Sequence, residues 1–245
     1  MDAYVSSLLD TLLHWIYPMD CAACGAPVKD RSLSSFCRPC WRSIRPIAGP
    51  ICTHCGRPFD SPLALVHSPA HVCDACRERP PHFDRALSPY RYEGVLDQAI
   101  RLFKYRGRTA LARPLADLAL AWIDRIPVAD IVIPVPLHPS RLREREFNQS
   151  LLLADRIAQH LELPLSFHDL QRIRPTRPQT ELDRQERARN VQRAFAVRPA
   201  ADLNGRRVLL VDDVLTTGAT VEACAVALRK AGAEAVSVLT VARRG

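Results

Sequence analysis

Eight of the nine cysteines fall in four Cys-x2-Cys pairs: Cys21/Cys24, Cys37/Cys40, Cys52/Cys55 and Cys73/Cys76. A two-residue gap lets a tight knuckle turn both sulfurs toward one ion, and two knuckles complete a tetrahedral thiolate site. Gly25 and Gly56 directly follow the second cysteine of their knuckles, where a positive φ helps the turn. Disulfides are disfavoured where thiols stay reduced, and redox pairs are disfavoured by the repetition. The spacing therefore implies two structural zinc ions. Consecutive pairing closes the shortest loops, although the spacing also admits an interleaved arrangement. With every position around each ion filled by protein, such a module holds something in place or binds a partner and does no chemistry. His54, His67 and His71 lie nearby and each could replace a thiol; beside eight thiols they read as ordinary surface histidines. Cys224, between alanines in a helical stretch, reads as a small buried apolar residue.

The second chemical stretch is Val208-Leu209-Leu210-Val211-Asp212-Asp213-Val214-Leu215-Thr216-Thr217-Gly218-Ala219-Thr220. Four apolar residues build a central strand, two carboxylates end it, and a hydroxyl-and-glycine loop leads into a helix. In open parallel sheets, ligands bind outside the carboxyl ends of the strands. The loop offers backbone N–H groups and three hydroxyls to a phosphate, and the helix start adds the positive end of its dipole. Adjacent carboxylates need cations or hydroxyl donors as partners. A ribose with vicinal hydroxyls, or a magnesium ion, meets that need. The plain alternative is a strand–turn–helix whose acids only cap the helix. No GxxxxGK[ST] sequence is present, so a P-loop is excluded.

Such groups need a scaffold. The region around the cysteines is rich in Pro and Gly, which argues against long helices or central strands. Roughly 60 residues of this kind bury too little surface to fold alone, and a metal supplies the missing stability. The pattern changes near Phe83, dividing the chain into an N-terminal helix and double zinc module over 1–82 and an α/β domain over 83–245. Helices are expected over Gly94 to Arg106, along Leu111, Leu115, Leu118 and Trp122, over Asn148 to Leu161, and over Ala219 to Ala231. Strands are expected at 130–136, weakly at Leu165 to Leu170 and Ala194 to Val197, strongly at 206–214, and at Ala235 to Ala242. Strands alternating with helices indicate a mostly parallel sheet covered on both faces.

Composition sets outer bounds. With 245 residues, 47% hydrophobic and 24% charged, a wholly disordered chain is excluded. No apolar run reaches the roughly 20 residues that span a bilayer. The first twenty residues lack a basic start and carry Asp10 and His14 in their apolar stretch, so a cytoplasmic location is expected. Leu8, Leu9, Leu12, Leu13 and Ile16 form a stripe that packs on its own domain or lies on the inner membrane or a partner. Net charge is +8, and only Lys29, Lys104 and Lys230 of the 34 basic residues are lysines. Arginine's planar fork suits phosphate, although genomic base composition gives the same total. From Gln171 to Arg193, seven arginines face three acids.

The acidic pair and its loop resemble the phosphoribosyl pyrophosphate (PRPP) motif of type I phosphoribosyltransferases. The resemblance implies that Asp212 and Asp213 take the ribose hydroxyls, and that Thr216, Thr217, Gly218, Ala219 and Thr220 wrap the 5′-phosphate. Further motifs narrow it. Tyr92-x-Gly94, Phe103-Lys104-Tyr105-Arg106-Gly107, the run Pro134 to Ser150, Arg174-x-Thr176-x-x-Gln179-x-x-Leu182 and Arg187-x-x-Asn190-Val191 look like the ComF family of competence and DNA-utilisation proteins. That likeness runs from about Cys21 to the C-terminus. It implies a zinc module joined to a phosphoribosyltransferase-like domain that uses PRPP with magnesium. It places a pyrophosphate loop at Val135, Pro136, Leu137 and His138, at the end of the first sheet strand, followed by Arg141. Arg143, Arg145, Lys104 and Arg187 are then candidate contacts to diphosphate or DNA. His138 reads as a hydrogen-bonding loop histidine, with general base as the alternative. The resemblance implies handling of single-stranded DNA in natural transformation or DNA utilisation, with Phe103, Tyr105 and Phe147 as the candidate stacking rings. A separate reading, drawn from the N-terminal apolar stripe, is a zinc-dependent adaptor that docks DNA-uptake machinery at the membrane. The alternative is an active phosphoribosyltransferase on a small nitrogenous acceptor.

Overall fold

The computed structural model describes residues 19–28, 33, 35–59, 71–175, 191 and 193–244. The stripe from Leu8 to Ile16, together with His67, Thr176, Gln179, Leu182, Arg187 and Asn190, lies outside them. Among the described residues the strands are β1 (Arg85–Leu87), β2 (Tyr90–Arg91), β3 (Ile131–Pro134), β4 (Leu170–Arg172), β5 (Phe195–Val197), β6 (Arg207–Leu215) and β7 (Ala235–Arg243). The helices are α1 (Arg38–Arg42), α2 (Asp74–Glu78), α3 (Gly94–Tyr105), α4 (Ala112–Leu120), α5 (Pro139–Arg145), α6 (Gln149–Leu161) and α7 (Ala219–Lys230).

The sheet runs β1-β7-β6-β3, all parallel, with β2 continuing along β7 beyond β1. Along β6, Val208, Leu209, Leu210 and Val211 are all buried because both faces are covered. Leu209 and Val211 enter a core with Leu96, Ile100 and Phe103 of α3, Leu115 of α4 and Leu153 of α6. Val208 and Leu210 enter a second core with Val221 and Leu228 of α7 and Phe195 of β5. Each fully buried side chain of this size contributes about 1.5–3 kcal/mol by leaving water. On α3 the buried Leu96, Ala99, Ile100 and Phe103 recur at three- and four-residue steps, one face of a helix.

The structure corrects three expectations. The segment before Pro134 is the third strand in chain order, since β1 and β2 precede it; at three and two residues they are too short to show a period. Leu165 makes only a single bridge to Val132, and the strand begins at Leu170. β4 then pairs antiparallel with β5 in a separate two-stranded sheet. The helix expected to reach Trp122 opens with a 3-10 turn, Thr109–Leu111, and ends at Leu120.

The cysteine-rich segment is docked on this sheet. Cys21, Val28, Phe36 and Cys37 belong to the same apolar core as Leu87, Tyr90 and Leu96. The third knuckle, Cys52/Cys55, approaches the β1 edge, where the Ala86 N–H donates to the His54 carbonyl at 2.6 Å. Arg243, 4% exposed at the end of β7, donates from Nη1 to the Cys55 carbonyl at 2.8 Å.

Candidate functional site

The eight paired cysteines form two clusters, Cys21/Cys24/Cys37/Cys40 and Cys52/Cys55/Cys73/Cys76, with the four sulfurs of each within 4.8 Å of one another. Consecutive pairing is therefore the arrangement adopted. Sγ–Sγ distances of 3.7 Å for Cys24–Cys37 and Cys55–Cys73 rule out disulfides there. Four sulfurs about 2.3 Å from one ion lie about 3.8 Å apart in a tetrahedron, so both clusters fit zinc. Among the described residues neither includes a histidine: the His71 ring packs edge-on to Phe59 at 5.0 Å, and His54 lends its backbone carbonyl to β1. Cys224 is fully buried in α7, as its alanine neighbours implied.

At the carboxyl end of the sheet, β3, β6, α3, α5 and α6 surround a cavity of about 330 Å³. Its floor is the end of β6 and the turn into α7. Thr216, Gly218 and Thr220 line it. Gly218 takes φ 82°, a conformation that costs side chains but not glycine, and so starts α7 abruptly after the turn. The Thr217 hydroxyl accepts from the Ala219 N–H at 3.4 Å, bracing the turn from behind.

The two carboxylates are not equivalent. Asp213 is 2% exposed, and Lys104 of α3 reaches its Oδ1 at 2.8 Å. The other oxygen, Asp213 Oδ2, is buried with no hydrogen-bond partner among the described residues. Asp212 is half-buried; its Oδ1 accepts from the Ser150 hydroxyl at 2.8 Å and from the Asp213 N–H at 2.9 Å. Burial, and then the neighbouring Asp213 charge, push the Asp212 carboxyl up to about 7. A buried acceptor without a donor beside a carboxylate held near neutrality fits hydroxyl donors or a hydrated divalent cation.

The opposite wall comes from the loop after β3. Val135, Leu137 and His138 line the cavity. Asn148 fixes this loop by donating to the Val135 carbonyl at 3.1 Å, while its Oδ1 caps α6 through the Ser150 N–H at 3.0 Å. His138 is a helix cap: its Nδ1 accepts from the Ser140 N–H at 3.3 Å and pairs with the Ser140 hydroxyl at 2.8 Å. Arg141 and Arg145 of α5 line the cavity, whereas Arg143 is exposed on that helix outside the lining. Lys104, Arg141, Arg145, Arg172 and Arg244 set five basic side chains around the two carboxylates. Arg172 and Arg244 were not singled out by sequence spacing. Arg172 belongs to the arginine-rich run from 171, and Arg244 follows the last strand, so only the fold brings them here. Of the three candidate rings, Phe103 is fully buried, Phe147 packs on it at 5.7 Å, and Tyr105 is exposed in the cavity wall.

A parallel sheet whose central strand carries this acidic pair just before a hydroxyl-lined turn, together with two four-cysteine clusters, defines a phosphoribosyltransferase-like domain joined to a double zinc ribbon. Residues 12–77 match the double zinc ribbon domain, and residues 148–245 match the phosphoribosyl transferase domain. Competence protein F of Haemophilus influenzae is 31% identical over 217 residues, covering 86% of this chain and 91% of that protein. DNA utilization protein YhgH of Salmonella typhi is 31% identical over 229 residues, covering 91% and 96%. Competence protein ComFC of Streptococcus pneumoniae is 24% identical, covering 92% and 100%. The chain belongs to the ComF family. No helix among the described residues is long and apolar enough to cross a membrane.

Proposed function

We propose that the cavity binds PRPP with magnesium, and that the protein couples this ligand to the handling of single-stranded DNA. In this reading Asp212 and Asp213 hold the ribose 2′ and 3′ hydroxyls. Thr216, Thr217, Gly218, Ala219 and Thr220 take the 5′-phosphate, and Val135 to His138 with Arg141 face the pyrophosphate. Magnesium, when bound, offsets the charge of the diphosphate beside the carboxylates. The observation that carries the reading is the buried, donorless Asp213 Oδ2 beside Asp212, next to a hydroxyl-lined turn and inside a ring of basic side chains. The family's competence and DNA-utilisation members support the DNA part. The zinc module over 1–82 then serves as the docking part and 83–245 as the ligand-binding part, working in the cytoplasm and at the inner face of the membrane beside the DNA-uptake machinery.

Calorimetric titration with PRPP and magnesium tests this. The unaltered protein binds, and the Asp212→Asn/Asp213→Asn protein loses at least about tenfold in affinity, since hydrogen bonds to charged groups are each worth about 1.5–3 kcal/mol. Equal affinities in the two proteins would discard the reading. The domain match over 148–245 favours a second reading, an active transferase. There an acceptor nitrogen attacks the ribose C1, the bond from C1 to the pyrophosphate oxygen breaks, pyrophosphate leaves, and the acceptor gives up its proton. Pyrophosphate release in a screen of nitrogenous bases, abolished by the same double substitution, is its signature.

A further inference from the structure

One feature of the cavity is unused by a sugar phosphate. Tyr105, the last residue of α3, lines the cavity and is 60% exposed, while Phe103 two residues earlier is fully buried. The Arg145 guanidinium lies 4.9 Å from the Tyr105 ring centre. It is held there by a hydrogen bond from Nη1 to Gln149 Oε1 at 3.1 Å, and Gln149 is itself buried. A cation fixed over a ring from a second helix orients that ring without burying it. Lys104, the neighbour of Tyr105, is turned inward onto Asp213, so the helix end splits into a charged branch inside and an aromatic branch at the wall.

We propose that Tyr105, backed by Arg145, is a stacking platform for one nucleobase, so that the cavity takes a nucleotide with its base on Tyr105 and its sugar phosphate against the carboxylates and basic side chains. The inference rests on the sugar-phosphate reading of the cavity and adds the base to it. Every base offers a π face, so an aromatic platform gains affinity with little regard to base identity. Tyr105 is the one exposed aromatic in the described lining, which fits a single base and not a track of several. The nucleotide has two sources with the same chemistry, the end of a single strand or a free mononucleotide.

The test uses the full zinc-loaded chain. Fluorescence anisotropy compares a 5′-phosphorylated single-stranded oligonucleotide with one that is abasic at its terminal nucleotide; calorimetry adds AMP, ribose 5-phosphate and PRPP. The base-bearing strand or AMP is expected to bind roughly tenfold or more tighter than its base-free counterpart, ribose 5-phosphate serving as the counterpart of AMP. That ratio persists in Tyr105→Phe and falls to near one in Tyr105→Ala and in Tyr105→Leu, which keeps apolar bulk without a flat face. An effect with AMP identifies the mononucleotide as the source, and an effect confined to the strand identifies the strand end. A ratio near one in the unaltered protein, or a ratio that survives in both Tyr105→Ala and Tyr105→Leu, overturns the platform. Failure of the unaltered protein to bind PRPP, with the base ratio and its Tyr105 dependence intact, overturns the PRPP reading alone.

Discussion

Asp212 carries a folded-state pKa near 7 against an ordinary value of 3.8. Between about pH 4 and 7 the folded protein therefore holds a proton that the unfolded chain has released. The stability this proton confers is fully present below the unfolded value and is lost as pH rises through about 7. Binding of the proposed ligand has the opposite sign, because hydroxyl donors and magnesium would favour the carboxylate. Affinity for PRPP with magnesium is expected to fall roughly tenfold from pH 8 to pH 6, and Asp212→Asn removes that part of the slope. The same substitution raises the ligand-free melting temperature at pH 8 by a few degrees, as relief of about 1 kcal/mol does in a chain of this size. Matched titrations and thermal scans across pH 5–8 check both; equal pH slopes in the two proteins would contradict the argument. The acidic pair was legible because thirteen consecutive residues carry its pattern. The division of labour within the pair was not, because Lys104 and Ser150 lie far from it in sequence and meet it only through α3 and α6.

Elements follow the same logic. The knuckles were legible from spacing alone, since Cys-x2-Cys fixes local geometry. Helix α5 was not, because its seven residues, begun by Pro139 and rich in arginine, show no apolar period. Nor could sequence say what the Cys52/Cys55 knuckle touches. Gly56 has φ +68°, and a Cβ there would lie 2.6 Å from the Ala86 carbonyl oxygen, which is rigid backbone. Gly25 sits at the same place in the first knuckle with φ +72° and open space around it. The two glycines therefore make an internal comparison. Gly25→Ala should cost about 1 kcal/mol, the penalty of the left-handed backbone alone. Gly56→Ala adds a clash between knuckle and β1 and should cost about 2–4 kcal/mol, with earlier loss of zinc to a chelator. Equal losses of melting temperature in the two variants would mean that the knuckle does not bear on the sheet.

Across the whole molecule, the question is whether the zinc module is an appendage or part of one folding unit. The first cluster contributes Cys21 and Cys37 to the core that also holds Leu87 and Leu96, so its collapse opens the sheet's own interior. The second is tied through the Cys55 carbonyl to Arg243, a buried cation that needs that acceptor, and Tyr92 in the cavity lining donates its N–H to the Arg243 carbonyl at 2.7 Å. Loss of zinc removes the tetrahedral constraint on all four knuckles, and structural zinc supplies folding free energy directly. Calorimetry of the zinc-loaded protein should accordingly show one unfolding transition. Stripping with a strong chelator should lower it by about 10 °C or more, the consequence of several kcal/mol lost from a chain of this length. Cys73→Ser should move the same single transition downward and weaken the cavity's ligand, because Arg243 and Tyr92 lose their anchor together. Two separate transitions, with the later one indifferent to chelator, would instead make the ribbons an independent body resting on a self-sufficient α/β domain.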